Sequence, residues 1–308
     1  MRYLDPKADL TFKKIFGKHP DLLISLLNAL LPLGDDELIE SIEYLPTELV
    51  PELYEHKNSI VDVLCQDIKG RQFCVEMQME WTTAFKQRVL FNASKLYVTQ
   101  AKKKGQYKDL KPVYSLNLVN EIFEPELEEY QHDYKIVCDK HTDRVIEGLH
   151  FTFIELPKIT PHTVAEKRMA VLWLRFLTEI DDDTQTPSAD LQENPDINKA
   201  LEEVEVTAFT EEELRGYDKF WDIVRTEKTL LGGTYEKGHA EGRAEGIAEG
   251  RAEGIAEGRA EGIAEGIAEG ERKEKLATAK RLLDLGLDPN IAAKGAGLTI
   301  EEIKDLIR

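Results

Sequence analysis

The chain predicts an α/β core followed by helices, and three patterns carry that prediction. Runs 60–67 and 71–79 are rich in Val, Ile, Leu, Cys and Phe and flank a glycine-containing turn. A helical pattern then occupies residues 83–103, and strand-like runs follow at 113–119, 134–138 and 149–156. Strands, a helix, then strands again is the order of an α/β core.

Taken in order, a helical region over residues 9–31 ends at Pro32, and residues 42–49 supply a first strand. The two runs that follow form an antiparallel hairpin, because Ile68-Lys69-Gly70 ends in a residue able to take positive φ, as a three-residue bulged turn requires. With Asp67 facing Arg71, Leu64 opposes Cys74 and Asp62 opposes Glu76, with side-chain bases roughly 5 Å apart on one face. Gln78 points the same way as Glu76, two residues on. Two carboxylates so placed repel, and one tends to hold a proton unless a cation sits between them. A hard, oxygen-preferring ion such as Mg²⁺ is the natural occupant.

The order Asp, hairpin, Glu-x-Gln resembles the PD-(D/E)XK nuclease superfamily, with Gln78 where its usual lysine stands. The opening Tyr3-Leu4-Asp5-Pro6-Lys7-Ala8-Asp9-Leu10-Thr11-Phe12-Lys13-Lys14-Ile15-Phe16-Gly17 and the stretch Val75-Glu76-Met77-Gln78 resemble, more narrowly, the Rpn family of recombination-promoting nucleases, which also carries the name transposase. The resemblance continues through Arg88, Tyr97, Gln100, Gly105 and Tyr107 to Pro112-Val113-Tyr114-Ser115-Leu116-Asn117-Leu118, and spans most of residues 1–180.

That resemblance implies a restriction-endonuclease-like PD-(D/E)XK core, α/β in class, with a mixed central sheet flanked by helices. It implies an Mg²⁺-dependent DNA endonuclease, with Mn²⁺ as a substitute, that hydrolyses phosphodiester bonds and promotes DNA recombination. Asp62 and Glu76 would be metal ligands, joined by the backbone carbonyl of Met77, and Gln78 would complete the catalytic set. The ion would activate water and neutralise charge in the transition state. Gln78 carries no charge and can only orient by hydrogen bonding, which leaves Lys57 or Lys13 to supply the missing cation. A second reading is a nuclease fold without catalysis, kept for binding DNA or protein.

With 42% hydrophobic and 32% charged residues over 308 positions, the chain has room for one substantial core plus appendages. No apolar run approaches a membrane span, and Met1 opens no secretory signal, so a cytoplasmic location with no membrane partner is expected. Cys65, Cys74 and Cys138 form no metal-ligand spacing and are expected to pack in strands. A net charge of −19 opposes a generic DNA-binding surface. Much of it is local, at Asp181-Asp182-Asp183, at Glu211-Glu212-Glu213 and in the tail, whereas Lys102-Lys103-Lys104, with Lys108 and Lys111, makes a basic cluster after the long helix.

Four regions result: a nuclease-like core at 1–160, a helical extension at 161–237, a repeat at 238–270 and a small helical module at 271–308. The extension carries helical patterns near 171–177, 197–206 and 214–224. The repeat holds eight tandem tetrads over residues 239–270, from His-Ala-Glu-Gly through Arg-Ala-Glu-Gly and Ile-Ala-Glu-Gly. Ala and Glu favour helix, but each glycine costs about 1 kcal/mol. The repeat therefore reads as a marginal helix or tether, serving as a spacer or a weak self-association helix. In the final module Asp288-Pro289 starts a short helix, and Thr299 with Glu302 makes a capping box. Its 8 basic and 7 acidic residues leave little electrostatic footprint for a DNA reader, so docking or dimerisation fits it equally well. Paired cuts would be easiest for a homodimer.

Overall fold

The computed structural model describes residues 2–49, 59–101, 105–159 and 169–306. Contacts divide the chain into two units, residues 1–229 and 230–308. The first contains α1 (Asp9–Lys18), α2 (Pro20–Leu30), β1 (Ile42–Tyr44), β2 (Glu48–Leu49), β3 (Ser59–Ile60), β4 (Val63–Asp67), β5 (Gln72–Gln78), α3 (Phe85–Thr99), β6 (Val113–Val119), β7 (Gln131–Cys138), β8 (His141–Glu155), α4 (Met169–Glu179), α5 (Ala189–Glu193) and α6 (Pro195–Glu203). Helix α7 (Glu211–Asp284) begins in the first unit and ends in the second, which also holds α8 (Pro289–Ala296).

Among the described residues a six-stranded sheet has the order β1-β4-β5-β6-β8-β7. It is mixed: β5, β6 and β8 run parallel, and the other pairs are antiparallel. The hairpin register is the expected one, with Leu64 opposite Cys74, and Gly70 takes φ +81° in its turn. Asp67 fixes that turn from beneath, accepting the Arg71 N–H at 2.8 Å on one carboxylate oxygen and Arg71 Nε at 2.7 Å on the other.

Alternation along β5 sorts the two layers. Phe73, Val75 and Met77 point into the main core with α1, α2, α4 and α6, where Phe12, Phe16, Leu23, Leu27, Trp173 and Phe176 are fully enclosed. Cys74 points to the opposite face, where α3 lays Ala93 and Leu96 against it and, further along, packs Phe85 and Val89 on Val119 and Phe153. The Asp5-Pro6-Lys7 turn is a strut. Buried Lys7 pairs with Asp5 at 2.9 Å and donates to the Leu177 carbonyl at 3.0 Å. Leu4 and Ala8 pack with Phe209 and Tyr217, which ties the start of the chain to the start of α7.

Several elements differ from the sequence expectation. The helical region over 9–31 is two helices, because Pro20 has no N–H to continue α1 and instead opens α2 at its first turn. The single strand over 42–49 is split by Pro46 into β1, which pairs with β4, and β2, which pairs with β3. Strand β8 starts at His141, eight residues before the expected position, as a ribbon with β7 whose side chains are largely exposed. The short α5 carries too few residues to display a period. Cys65 and Cys74 are buried as expected, whereas Cys138 is exposed at the end of β7.

In the second unit α7 continues as helix through the tetrads to Asp284. Gly286 then takes φ +80°, and Asp288 caps α8 by accepting the Asn290 N–H at 2.9 Å. The expected capping box is present, with Glu302 accepting from Thr299 N–H at 2.8 Å and Glu302 N–H donating to Thr299 Oγ1 at 3.4 Å. Ala279, Ala293, Ala296 and Ile303 form a small core of its own.

Candidate active site

Ladder pairing between β4 and β5 stops at Val63 opposite Val75. In an extended strand one residue sends its N–H and C=O to the same neighbour, and by the alternation of this hairpin Met77 sends both toward the β4 side. The residue that would meet it, Val61, gives its own N–H to the Thr47 carbonyl at 3.1 Å. Asp62 therefore lies on the bend before β4 rather than in the ladder, a correction to the expected pairing. Its carboxylate fills the gap and accepts the Met77 N–H at 2.8 Å. The Met77 carbonyl faces that same edge.

Glu76 points to the α3 face and is buried. Asn92 Nδ2 donates to its Oε1 at 3.0 Å, and the Arg88 guanidinium stands 3.6 Å from Oε2. Arg88 and Asn92 are four residues apart, so α3 presents both on one side. Gln78 follows on the same face of β5. Its Oε1 accepts from Arg88 at 2.5 Å and its Nε2 donates to the Glu80 carbonyl at 2.6 Å, so the amide is held from both ends. From α1, Lys13 reaches within 3.8 Å of Asp62 Oδ1 and pairs with Asp9 at 2.5 Å.

The two carboxylates are electrostatically opposed. Burial pushes Glu76 up to about 7, the neighbouring Asp62 charge adds to the rise, and Arg88 and Asn92 oppose it. Burial also raises Asp62, against the Met77 N–H and Lys13. The donors are all oxygens, and among the described residues no group of three His, Cys, Asp or Glu side chains gathers anywhere to hold a metal. Two carboxylates and a carbonyl, completed by water, fit a hard divalent ion that keeps much of its hydration. Such an ion would also relieve the repulsion from Asp62 that adds to the effect of burial on Glu76.

Asp62, Glu76, Met77 and Gln78 thus come together at the carboxyl end of β5, beside parallel β6, where open α/β sheets place their sites. Lys13 joins them at the rim, while Lys57 and the Lys102-Lys103-Lys104 run lie outside the described residues. Tyr97 stands apart, packed with the α3 core, its ring 3.3 Å from where a side chain on Gly148 would begin. Sequence reading missed Asn92 and Asp9 and named Arg88 only among the residues that carry the family resemblance. A polar Asn92 among Val89, Ala93 and Leu96 on the apolar stripe of α3 was the available signal.

A family model described as PD-(D/E)XK nuclease family transposase matches residues 6–230. No curated protein and no solved structure gives a significant match. Among the described residues no helix is long and apolar enough to cross a membrane.

Proposed function

The chain belongs to the PD-(D/E)XK nuclease family transposases, and from that membership we propose that it is a divalent-metal-dependent DNA endonuclease, working with Mg²⁺ or Mn²⁺ and promoting recombination by the breaks it makes. Asp62, Glu76 and the Met77 carbonyl hold the ion. When bound, the ion supplies Lewis acidity to the phosphoryl oxygen and positive charge against the transition state. Asn92 aims Glu76, and the Met77 N–H aims Asp62.

The observation that carries this reading is the Arg88–Gln78 contact at 2.5 Å. Gln78 occupies the position of the family's lysine without its charge, and Arg88 brings a cationic guanidinium to the same place. The pair divides one residue's work: Gln78 positions, and Arg88 supplies the cation that neutralises developing phosphate charge. Lys13, paired with Asp9 and beside Asp62, tunes the other side of the site.

The test is nicking of supercoiled plasmid by purified protein with Mg²⁺, with Mn²⁺ and with EDTA. Metal-dependent nicking that Asp62→Ala abolishes supports the nuclease. Cutting that persists in folded Asp62→Ala assigns the activity elsewhere.

A further inference from the structure

Strand β7 is the last strand of the six-stranded sheet, and its outer edge carries no partner among the described residues. Glu155 N–H donates to the Tyr130 carbonyl at 2.8 Å. Alternation from that pair turns the backbone groups of His132 and Tyr134 toward β8 and those of Asp133 and Lys135 outward. Asp133, Tyr134 and Lys135 alternate between the two faces of the sheet, yet all are exposed. The large side chains Tyr134 and Ile136 are 42% and 44% open to solvent. An edge of this kind is a template for a further strand.

The charges on this edge select its partner. A lysine in the middle of an open edge ordinarily deters pairing. Here Asp133 stands two residues before Lys135 on the same face, so the edge carries its own counter-charge. Asp133 accepts from Thr152 Oγ1 at 2.6 Å and from Gln131 Nε2 at 3.0 Å, which hold the carboxylate in place and leave it lone pairs for a cation. An antiparallel two-fold pairing can be centred on Asp133, Tyr134 or Lys135. Centred on Asp133 it sets that carboxylate against itself, and centred on Lys135 it sets ammonium against ammonium. Centred on Tyr134 it sets Asp133 of each copy opposite Lys135 of the other, and those are the residues whose backbone groups face outward.

We propose that β7 pairs antiparallel with β7 of a second copy of the chain, about a two-fold axis at Tyr134. The outward backbone groups of Asp133 and Lys135 make the ladder, and an Asp133–Lys135 ion pair closes it on each side of the axis. The contact is isologous, as a closed dimer requires. Its axis stands normal to the sheet, so the α3 faces of both copies, each with its Glu76, lie on one side of the joined sheet. The inference is independent of the nuclease reading, since neither the pairing nor its test involves cleavage.

Sedimentation of the full chain across a concentration series reads the pairing, with circular dichroism to confirm that each variant is folded. A monomer–dimer equilibrium is expected. Lys135→Asp sets carboxylate against carboxylate on both sides of the axis and should raise the dissociation constant about tenfold. Adding Asp133→Lys should recover the dimer, because the charges again oppose. A second arm reads the register: paired Tyr134 Cα atoms in this geometry lie about 4.5 Å apart, within disulfide range. Tyr134→Cys in a Cys138→Ser background should therefore give a covalent dimer on oxidation, with Cys65 and Cys74 buried and out of reach. Ile146→Cys in the same background, exposed on the ribbon but away from the edge, should not. A monomer at every concentration reached overturns the proposal, as does the absence of the Tyr134→Cys crosslink. A dimer that Lys135→Asp leaves unchanged overturns it too, and places self-association on another surface such as the tetrad helix.

Discussion

At the scale of single residues, the proposed chemistry rests on Arg88 and Gln78, whose roles separate on mutation. Arg88→Ala should lower the cleavage rate about 10²-fold, the magnitude lost with a charge-stabilising donor, while leaving Mn²⁺ affinity within a few-fold. Arg88→Lys should recover part of the rate. Equal loss of Mn²⁺ affinity and rate in Arg88→Ala would place the arginine on the metal instead. Glu76 gives a second prediction, from its rise to about 7. A carboxyl whose folded value is raised binds its proton more tightly in the native state, so its contribution to stability is complete below the unfolded value near 4.5 and is lost as pH rises through about 7. The metal-free protein should therefore lose stability from pH 5 to 8 by about 3 kcal/mol through this group. Glu76→Gln should lack that component, as thermal unfolding in EDTA at the two pH values would reveal. Glu76 and Gln78 were legible because a two-residue period places side chains without further information, whereas Asp62 was named at a ladder position it does not take. Arg88 was not legible as part of the site, because a charged residue on a helix is ordinarily solvated and only the tertiary approach of α3 to β5 brings its guanidinium against Glu76 and Gln78.

At the scale of elements, the β4–β5 hairpin is the frame on which the site depends. Its turn rests on the Asp67–Arg71 pair, with Asp67 fully enclosed and Arg71 also donating to the Glu37 carbonyl at 2.7 Å. Arg71→Ala strands a buried carboxylate and should cost about 3–5 kcal/mol in urea unfolding. A loss under 1 kcal/mol would mean that the pair is dispensable. The hairpin register was readable from its turn as far as Val63 opposite Val75, because its apolar runs, its turn glycine and the Asp67–Arg71 closure all imposed it. What the sequence concealed arose from partners distant along the chain. Pro20 and Pro46 divide elements whose composition is uniform, and the outer half of β8 has no apolar alternation because it pairs only with β7 beyond the core. Asp62 left its expected ladder position for a similar reason, since Thr47 claims the N–H of Val61.

At the scale of the whole molecule, the family match over residues 6–230 and the compact unit over residues 1–229 nearly coincide. Every proposed site residue falls within that unit. The α7 side chains that pack on the start of the chain, Tyr217 and Trp221 among them, also precede its boundary. A chain ending at Thr229 should thus unfold cooperatively by circular dichroism and nick plasmid at a rate within a few-fold of the full protein. Noncooperative unfolding would show that the tetrad helix and the final module are needed for the fold. A strict four-residue repeat with glutamate in every tetrad cannot supply a packed interior, and that alone sets residues 238–270 apart in the sequence. The helices after residue 168 carry no such mark: Trp173, Phe176 and Ile197 complete the same core as α1 and α2, a closure that no local pattern reveals. If the pair Asp62 and Glu76, served by Arg88 through Gln78, cuts DNA with a bound divalent ion, plasmid nicking by wild type and folded Glu76→Gln, side by side in Mg²⁺ and EDTA, will separate the two proteins. Nicking by the wild type in Mg²⁺ alone and a loss of at least about 10²-fold in the variant are expected; equal nicking by both proteins, or none by either, would contradict that role for the pair.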